Sequence, residues 1–134
     1  MPEQGLVRVL LVEDNEQNLE LAQFLLEEAG LTVEAARNAF EARAALNREE
    51  PALVLMDIDL PGIDGLDLVS EIRRKPRWRQ LPVVALTAHA MRGDRERFLA
   101  GGCNGYISKP IQVSSFVEDV RRYLGVVEDK EDGG

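Results

Sequence analysis

Residues 54–65 read VLMDIDLPGIDG, an apolar run that ends on a carboxylate and then turns at a Pro-Gly pair. Val54, Leu55 and Met56 have the composition of a buried strand, and Asp57 follows them directly. A carboxylate at the end of a buried strand suits three kinds of site: a calcium-binding loop, a phosphatase nucleophile or a phosphate acceptor. The sequence on either side of this stretch is needed to choose among them.

Short apolar runs alternate with stretches of helical length along the rest of the chain. Glycine, proline and asparagine separate them, as is usual at the ends of helices and strands. We predict strands that begin near Val7, Leu31, Ala52, Pro82 and Gly105. We predict helices that begin near Asn15, Phe40, Gly65, Arg92 and Ser114, the last one ending at Gly125.

Apolar residues occupy both faces of these predicted strands, which favours a parallel sheet covered by helices on both sides. The predicted fold class is therefore α/β: a doubly wound five-stranded parallel sheet in a flavodoxin-like (βα)5 three-layer sandwich. We expect one domain over residues 1–125. Residues 126–134 are acidic and end in Gly-Gly, so we expect a disordered tail there.

The composition excludes several classes of protein. A net charge of −8 over 134 residues disfavours nucleic acid and anionic membrane as partners. A single cysteine excludes an intramolecular disulfide and a cysteine cage for a metal. Because no apolar run is long enough to span a membrane and no signal peptide is recognisable, we expect a cytoplasmic protein.

Polar groups follow four of the five predicted strands. Glu13 and Asp14 follow the first strand, and Asp57, Thr87 and Lys109 follow the third, fourth and fifth. Sites in open parallel sheets form where the strands end, so these side chains are expected to meet at one edge. Close carboxylates repel one another unless a cation neutralises them, and all-oxygen ligands with open positions suit Mg²⁺.

Two of the three interpretations fit poorly. A calcium loop that began at Asp57 would carry Pro61 at its fifth position and Leu68 at its twelfth, where oxygen ligands are required. A haloacid-dehalogenase-type phosphatase has an Asp-x-Asp stretch like residues 57–59, with a threonine and a lysine downstream. That family places its nucleophile after the first strand and its additional acids last, whereas the acid pair comes first here. We keep this phosphatase, with Asp57 as nucleophile, as the alternative function.

The third interpretation fits the order of all these groups. An acid pair, a single aspartate, a threonine and a lysine-proline pair in this order resemble the receiver domain of two-component response regulators. The stretches VEDNEQN (12–18), LTAHAM (86–91) and GGCNGYISKPI (101–111) carry the resemblance. It covers residues 7–124 and is strongest to the stand-alone, DivK-like members of that family.

The resemblance implies a phosphoacceptor signalling domain of a two-component system or phosphorelay. Asp57 would accept a phosphoryl group from the phosphohistidine of a sensor histidine kinase or of a histidine phosphotransfer protein. Lys109 and Thr87 would bind the phosphoryl oxygens, and Thr87 with Tyr106 would form the switch. The protein would not be an enzyme in the usual sense, because it would assist only its own phosphorylation and dephosphorylation.

The resemblance also implies a ligand set and a backbone feature. Mg²⁺ would be held by Glu13, Asp14, Asp57 and Asp59, with Glu13 acting through a water and Asp59 through its backbone carbonyl. The bond before Pro110 would be cis. A downstream protein would bind through the fourth helix, the fifth strand and the fifth helix.

Two further residues are expected to control the lifetime of the phosphoryl group. Asp59 lies two residues beyond Asp57, and His89 two residues beyond Thr87. Both side chains should overhang the position from which water attacks the acyl phosphate. A separate stretch, RRKPRWRQ at residues 73–80, carries five positive charges, and we interpret it as a solvated loop after a helix end, where cations suit the helix dipole.

Overall fold

Five strands alternate with five helices in this computed structural model, which describes residues 7–88 and 93–132, with side chains as far as residue 124. The strands are β1 (Arg8–Val12), β2 (Thr32–Ala36), β3 (Leu53–Asp57), β4 (Val83–Thr87) and β5 (Gly105–Ser108). The helices are α1 (Glu16–Glu28), α2 (Ala39–Arg48), α3 (Gly65–Arg74), α4 (Asp94–Ala100) and α5 (Phe116–Asp132). A single turn of 3₁₀ helix, Pro76–Trp78, follows α3.

The strands form one parallel sheet in the order β2-β1-β3-β4-β5. Successive side chains of a strand point to opposite faces, so each central strand contributes to two cores. In β3, for example, Val54 and Met56 pack with α2, α3 and α4, whereas Leu53 and Leu55 pack with α1 and α5. The predicted α/β fold class and the three-layer sandwich are confirmed.

Asparagine caps begin two of the helices. Asn15 accepts a hydrogen bond from the backbone of Asn18 at 2.9 Å, so the predicted start of α1 is confirmed. Asn38 accepts from the backbone of Glu41 at 2.8 Å, and the Glu41 carboxylate accepts from the backbone of Arg37 at 2.8 Å. The Asn38 cap satisfies one of the amide groups that the first helical turn leaves without partners, and the Glu41 carboxylate reaches back to the residue before that cap.

The last helix differs from its prediction. It continues beyond Gly125 to Asp132, so the predicted end at Gly125 is wrong. A glycine inside a helix costs only about 1 kcal/mol relative to alanine, and the residues beyond Gly125 are compatible with a helix. The division into a domain over residues 1–125 and a disordered tail over 126–134 remains a prediction.

Helix α4 begins at Asp94. We predicted its start at Arg92, which lies outside the described residues. Within the described part of the chain, no helix is both long and apolar enough to cross a membrane.

Candidate functional site

The parallel register brings the ends of four strands to one edge of the sheet. Val12 of β1 pairs with Met56 of β3, and Asp57 pairs with Leu86 of β4. Thr87 in turn pairs with Ser108 of β5. The polar groups that follow or end these strands are therefore neighbours in space, as the sequence predicted.

Three carboxylates meet at this edge. Oxygen atoms of Glu13, Asp14 and Asp57 all lie within 4.8 Å of one another. Glu13 and Asp57 are buried, each with 1% of its surface exposed, whereas Asp14 is exposed. We call these three residues, together with Lys109, the acidic rim. Two buried carboxylates beside a third at the surface form an electrostatically unfavourable group in the absence of a cation.

Lys109 supplies positive charge to this group. Its Nζ lies 3.2 Å from Asp57 Oδ1 and 3.3 Å from Glu13 Oε1. The Lys109 backbone N–H donates to the carbonyl of Thr87 at 2.7 Å, which fixes the start of the loop after β5 to the end of β4. The Lys109-Pro110 bond is cis, as the resemblance implied.

Backbone amides also hold the carboxylates in place. The N–H of Asp59 donates to Asp57 Oδ1 at 2.9 Å, and the N–H of Asn15 donates to Glu13 Oε2 at 3.1 Å. The N–H of Glu13 donates to the carbonyl of Ala36 at 2.9 Å, which ties the end of β1 to β2. The loops after β1 and β3 therefore position both buried acids.

The surroundings shift the pKa values of the rim. Burial, followed by repulsion from Asp57, raises the pKa of Glu13 to about 6. Burial and the contact with Asp57 also raise the pKa of Asp14. Burial would lower the pKa of Lys109, but attraction to Asp57 and Glu13 outweighs it and raises that pKa. Lys109 is thus held as a cation between two acids.

Gly65 supports the site in a way that the sequence analysis missed. A Cβ atom at this position would lie 2.6 Å from the carbonyl oxygen of Asp57 and 2.6 Å from the Cα of Ile58. The N–H of Gly65 donates to the carbonyl of Ile58 at 3.0 Å. The start of α3 therefore packs directly against the backbone of Asp57. The sequence contained the signal, a glycine eight residues after the aspartate, but it was interpreted only as a helix start.

The two predicted switch residues lie in adjacent strands. Thr87 ends β4 and is buried, with 1% of its surface exposed. Tyr106 in β5 is half-buried and packs against Phe98 of α4, with ring centroids 5.8 Å apart. The Arg97 guanidinium lies 5.0 Å from the centroid of the same Phe98 ring. Tyr106 is thus in contact with α4, the element expected to respond to Thr87.

The structure describes one of the two residues predicted to control phosphate lifetime. Asp59 is exposed and lines an open depression of about 460 Å³ beside the rim, together with Asp64 and Arg97. Its carboxylate is not among the clustered carboxylates of the rim, in keeping with a predicted ligand role through the carbonyl alone. His89 lies outside the described residues, so its role remains a prediction.

The donor set of the rim fits a hard divalent cation. All the ligand atoms offered by Glu13, Asp14 and Asp57 are carboxylate oxygens. The exposure of Asp14 leaves one side of the group open to solvent, and Mg²⁺ usually keeps several waters. The acids therefore suit the predicted Mg²⁺, with the carbonyl of Asp59 as the further predicted ligand.

Comparison with known proteins agrees with this arrangement. Residues 9–121 match the response regulator receiver domain family. The chain is 44% identical over 117 residues to the polar-differentiation response regulator DivK of Brucella anthropi, an alignment that covers 87% of this chain and 95% of DivK. The predicted resemblance to DivK-like receivers is confirmed, and the phosphatase alternative gains no support.

Solved structures give the same result. The signal receiver domain of a signal transduction histidine kinase from Syntrophus aciditrophicus has a TM-score of 0.79 at 32% identity, covering 90% of this chain and 91% of that chain. The chemotaxis response regulator CheY4 of Vibrio cholerae shares the fold, with a TM-score of 0.83 at 23% identity over 88% of this chain and 98% of that chain. The chain therefore belongs to the response regulator receiver domain family, whose members are phosphoacceptor signalling domains of two-component systems.

Proposed function

We propose that Asp57 accepts a phosphoryl group from the phosphohistidine of a sensor histidine kinase or of a histidine phosphotransfer protein. The observation that carries this proposal is the position of the Asp57 carboxylate. It is buried at the end of β3, has an ammonium group 3.2 Å away and lies in a cluster with two further acids. A nucleophile held next to a fixed cation is what phosphoryl transfer requires, because positioning and charge stabilisation provide most of the catalysis.

In the transfer step, a carboxylate oxygen of Asp57 attacks the phosphorus atom and forms a new P–O bond. The P–N bond to the donor imidazole breaks in line with it, and the imidazole nitrogen takes the electron pair and then a proton. The product is an acyl phosphate on Asp57, a kind of covalent intermediate that carboxylates form in other phosphoryl-transfer proteins. No redox change is involved.

The residues of the rim stabilise the charge of the phosphoryl group. Lys109 is a compact point charge already held at the Asp57 oxygen, so it can contact a phosphoryl oxygen without a large movement. Thr87 ends the neighbouring strand, and its hydroxyl would donate to another phosphoryl oxygen. When bound by Glu13, Asp14, Asp57 and the Asp59 carbonyl, Mg²⁺ would neutralise further charge at the acceptor.

Phosphorylation would change the surface formed by α4, β5 and α5. A hydrogen bond from Thr87 to the new phosphoryl group would draw in the end of β4, and Tyr106 would repack against α4. Support comes from the Tyr106–Phe98 contact and from the exposed apolar side chains of Leu99 in α4 and of Val113 in the loop between β5 and α5, which are 38% and 62% exposed. A cytoplasmic downstream protein would bind this surface and thereby read the state of Asp57.

The protein would act on its own acyl phosphate alone and would not be an enzyme with external substrates. Asp59 and His89 would set the rate at which water removes the phosphoryl group. Asp59 is exposed beside the rim, where a carboxylate can both repel the phosphoryl group and orient a water. Because imidazole titrates near neutral pH, His89 would make that rate depend on pH.

The experiment that tests this function is phosphorylation with acetyl phosphate and Mg²⁺. Wild-type protein should acquire one acid-labile phosphoryl group, and Asp57→Asn should acquire none. Asp67→Asn is the matched control, because Asp67 is an exposed acid on the helix that follows the same loop. Continued labelling of Asp57→Asn would remove Asp57 from its proposed role.

A second measurement separates the receiver from the phosphatase. A receiver should hydrolyse a small aryl phosphate no faster than it turns over its own acyl phosphate. Many rapid turnovers on the aryl phosphate, lost in Asp57→Asn, would favour the phosphatase instead.

A further inference from the structure

A basic loop lies at the edge of the sheet where the strands begin, opposite the acidic rim. It comprises residues 74–79, RKPRWR, from the last residue of α3 into the connection to β4. Its cationic side chains, Arg74, Lys75, Arg77 and Arg79, are all exposed. They stand out in a protein whose formal net charge is −8.

None of these four cations is used in a salt bridge within the described part of the chain. Arginines elsewhere do pair with carboxylates: Arg8 with Glu34 at 2.8 Å, and Arg37 with Glu16 at 2.9 Å. Glu71 lies near the basic loop, but both its oxygens accept hydrogen bonds from Arg43, at 2.7 and 3.0 Å. The pKa of Glu71 is lowered mainly by Arg43 and to a smaller extent by Arg74 and Lys75, so the positive charge of the loop faces solvent without a direct ion pair among the described residues.

The loop is held in a fixed conformation. Trp78 is its buried anchor, with 4% of its surface exposed, and the guanidinium of Arg77 lies 4.4 Å from the centroid of the Trp78 ring. Arg77 also donates to the side-chain oxygen of Asn47 at the end of α2, at 2.7 Å. Arg73 donates to the carbonyls of Trp78 and Arg79, at 2.8 and 3.3 Å. A pre-ordered loop loses less conformational entropy when it binds a partner.

An apolar groove of about 300 Å³ begins where the basic loop ends. The groove is lined by Val7, Glu50, Pro51, Ala52, Gln80, Leu81, Pro82 and Leu124. The backbone bonds from Ala52 to Arg8 and from Val54 to Pro82, at 2.8 and 2.9 Å, fix its walls to the sheet. Its volume is at the lower limit for a ligand site and can take one large side chain. One acid, Glu50, stands on its wall beside the apolar residues.

We propose that the basic loop and the apolar groove together bind an acidic peptide segment of a partner protein, which inserts one large apolar side chain into the groove. Arginine is enriched at protein interfaces, and opposite charges across an interface favour encounter and orientation. The site lies at the opposite edge of the sheet from Asp57, so binding there does not depend on phosphorylation. The receiver would thus have a constitutive docking surface in addition to its switching surface.

The observations favour a peptide over a nucleic acid. Nucleic-acid affinity comes mainly from many phosphate contacts, and only four exposed cations are available here against an overall negative charge. Single-stranded bases need exposed aromatic rings for stacking, whereas Trp78 of this loop is buried. A groove lined mostly by aliphatic residues accommodates a leucine-sized side chain instead.

The test uses fluorescence anisotropy of the unphosphorylated full chain with a fluorescein-labelled ten-residue peptide of glutamate and aspartate around one central leucine. Arg74→Glu combined with Arg77→Glu should weaken binding by about tenfold or more. Arg95→Glu combined with Arg122→Glu changes the net charge equally at other exposed positions and should change binding less than about twofold. Asp57→Asn should bind like the wild type.

Two further variants separate the groove from the charge. Ala52→Arg adds a positive charge but fills the groove, so it should weaken binding if the groove is used and strengthen it if charge alone matters. Replacing the central leucine of the peptide with serine should weaken binding by a similar factor. Amide shifts in nuclear magnetic resonance spectra should be centred on residues 50–52 and 77–82.

Other outcomes would overturn the proposal. Tighter binding of a ten-nucleotide single strand than of the peptide would identify the surface as a nucleic-acid site. Peptide binding that appears only after deletion of residues 1–6 or 126–134 would show that a terminal segment of this chain occupies the groove. If the two charge-reversal pairs lost peptide binding equally, the binding would depend on the net charge of the protein and not on the basic loop. Since the assay needs no phosphorylation, its failure leaves the function proposed for Asp57 intact.

Discussion

The two edges of the sheet accommodate buried charged groups in opposite ways. Where the strands end, Glu13 and Asp57 are buried together, with Lys109 shared between them. Where the strands begin, no acid among the described residues forms an ion pair with the half-buried guanidinium of Arg73. It donates instead to several oxygens, including the carbonyl of Gly102 at 2.9 Å and the side chain of Asn104 at 3.1 Å. The first edge keeps like charges together, and the second satisfies its buried donors with neutral acceptors. Unfavourable interactions of the first kind are typical of functional sites, whereas satisfied networks stabilise the fold.

The largest effect on stability is expected from Arg73→Met at the edge where the strands begin. This change removes the donor to the carbonyl of Gly102 and the shorter of two hydrogen bonds to the carbonyl of Trp78, and hydrogen bonds to charged groups contribute roughly 1.5–3 kcal/mol. We expect urea denaturation to show a loss of about 3 kcal/mol with phosphorylation of the folded protein unchanged. Arg74→Met, a change in the exposed neighbour, is the control and should cost little. Equal losses in both variants would contradict this account.

A smaller loss is expected from Gly65→Ala at the opposite edge, but here function should suffer too. The new methyl group would overlap the backbone of Asp57 and Ile58, and overpacking typically costs about 1–3 kcal/mol. Displacement of Asp57 should also slow phosphorylation by acetyl phosphate by about tenfold or more. Stopped-flow rates and denaturation curves measure the two effects.

Gly105→Ala is the matched comparison. The three atoms nearest to a Cβ at Gly105 all belong to the ring and hydroxyl end of the Tyr123 side chain, which can shift more easily than backbone. We expect this variant to lose less than about 1 kcal/mol, as is usual where a neighbour can move. A larger loss of stability in Gly105→Ala than in Gly65→Ala would show that contact of the new methyl group with backbone atoms does not determine the cost of the substitution.

The burial of the Glu13 carboxylate, followed by its repulsion from Asp57, predicts that Glu13→Gln stabilises the metal-free protein. The pKa of Glu13 is raised from 4.5 to about 6, so the folded state binds more protons than the unfolded state between these values. The stability contributed by Glu13 is therefore present below pH 4.5 and is lost as the pH rises through about 6. At pH 8 in EDTA, the variant should gain about 2 kcal/mol over the wild type.

The same variant should bind Mg²⁺ more weakly, as titration calorimetry can measure. Near pH 4 the difference in stability between the variant and the wild type should vanish. Destabilisation at pH 8, or a difference that does not change with pH, would mean that the two buried acids do not repel each other as inferred.

The smallest effect is expected from a change of Asp59, which is exposed beside the acidic rim. Asp59→Asn should change the decay of the acyl phosphate on Asp57 several-fold, which corresponds to about 1 kcal/mol in the barrier, while phosphorylation still occurs. Asp64→Asn is the control, because Asp64 lines the same depression and asparagine can replace it as the cap of α3. Identical decay rates in the wild type and both variants would assign the lifetime to other groups.

Local features of the sequence are enough to establish the fold class and to predict the members of the site. Apolar strands alternating with amphipathic helices admit few arrangements, and the rule that sites form where parallel strands end selects Glu13, Asp14, Asp57, Thr87 and Lys109 without coordinates. The fold class is predictable because side-chain periodicity and chain direction are local properties. The end of α5 could not be predicted in this way, because one glycine is a weak helix stop.

How these groups act on one another follows from their arrangement in three dimensions. The sharing of Lys109 by two buried acids, the raised pKa of Glu13 and the contact of Gly65 with the backbone of Asp57 all depend on distances between segments far apart in sequence. The same holds for Arg73, which appears in the sequence as one cation of a charged run and is half-buried by its contact with the turn before β5. Charge and burial interact over a few ångströms in space, and a sequence pattern does not contain those distances.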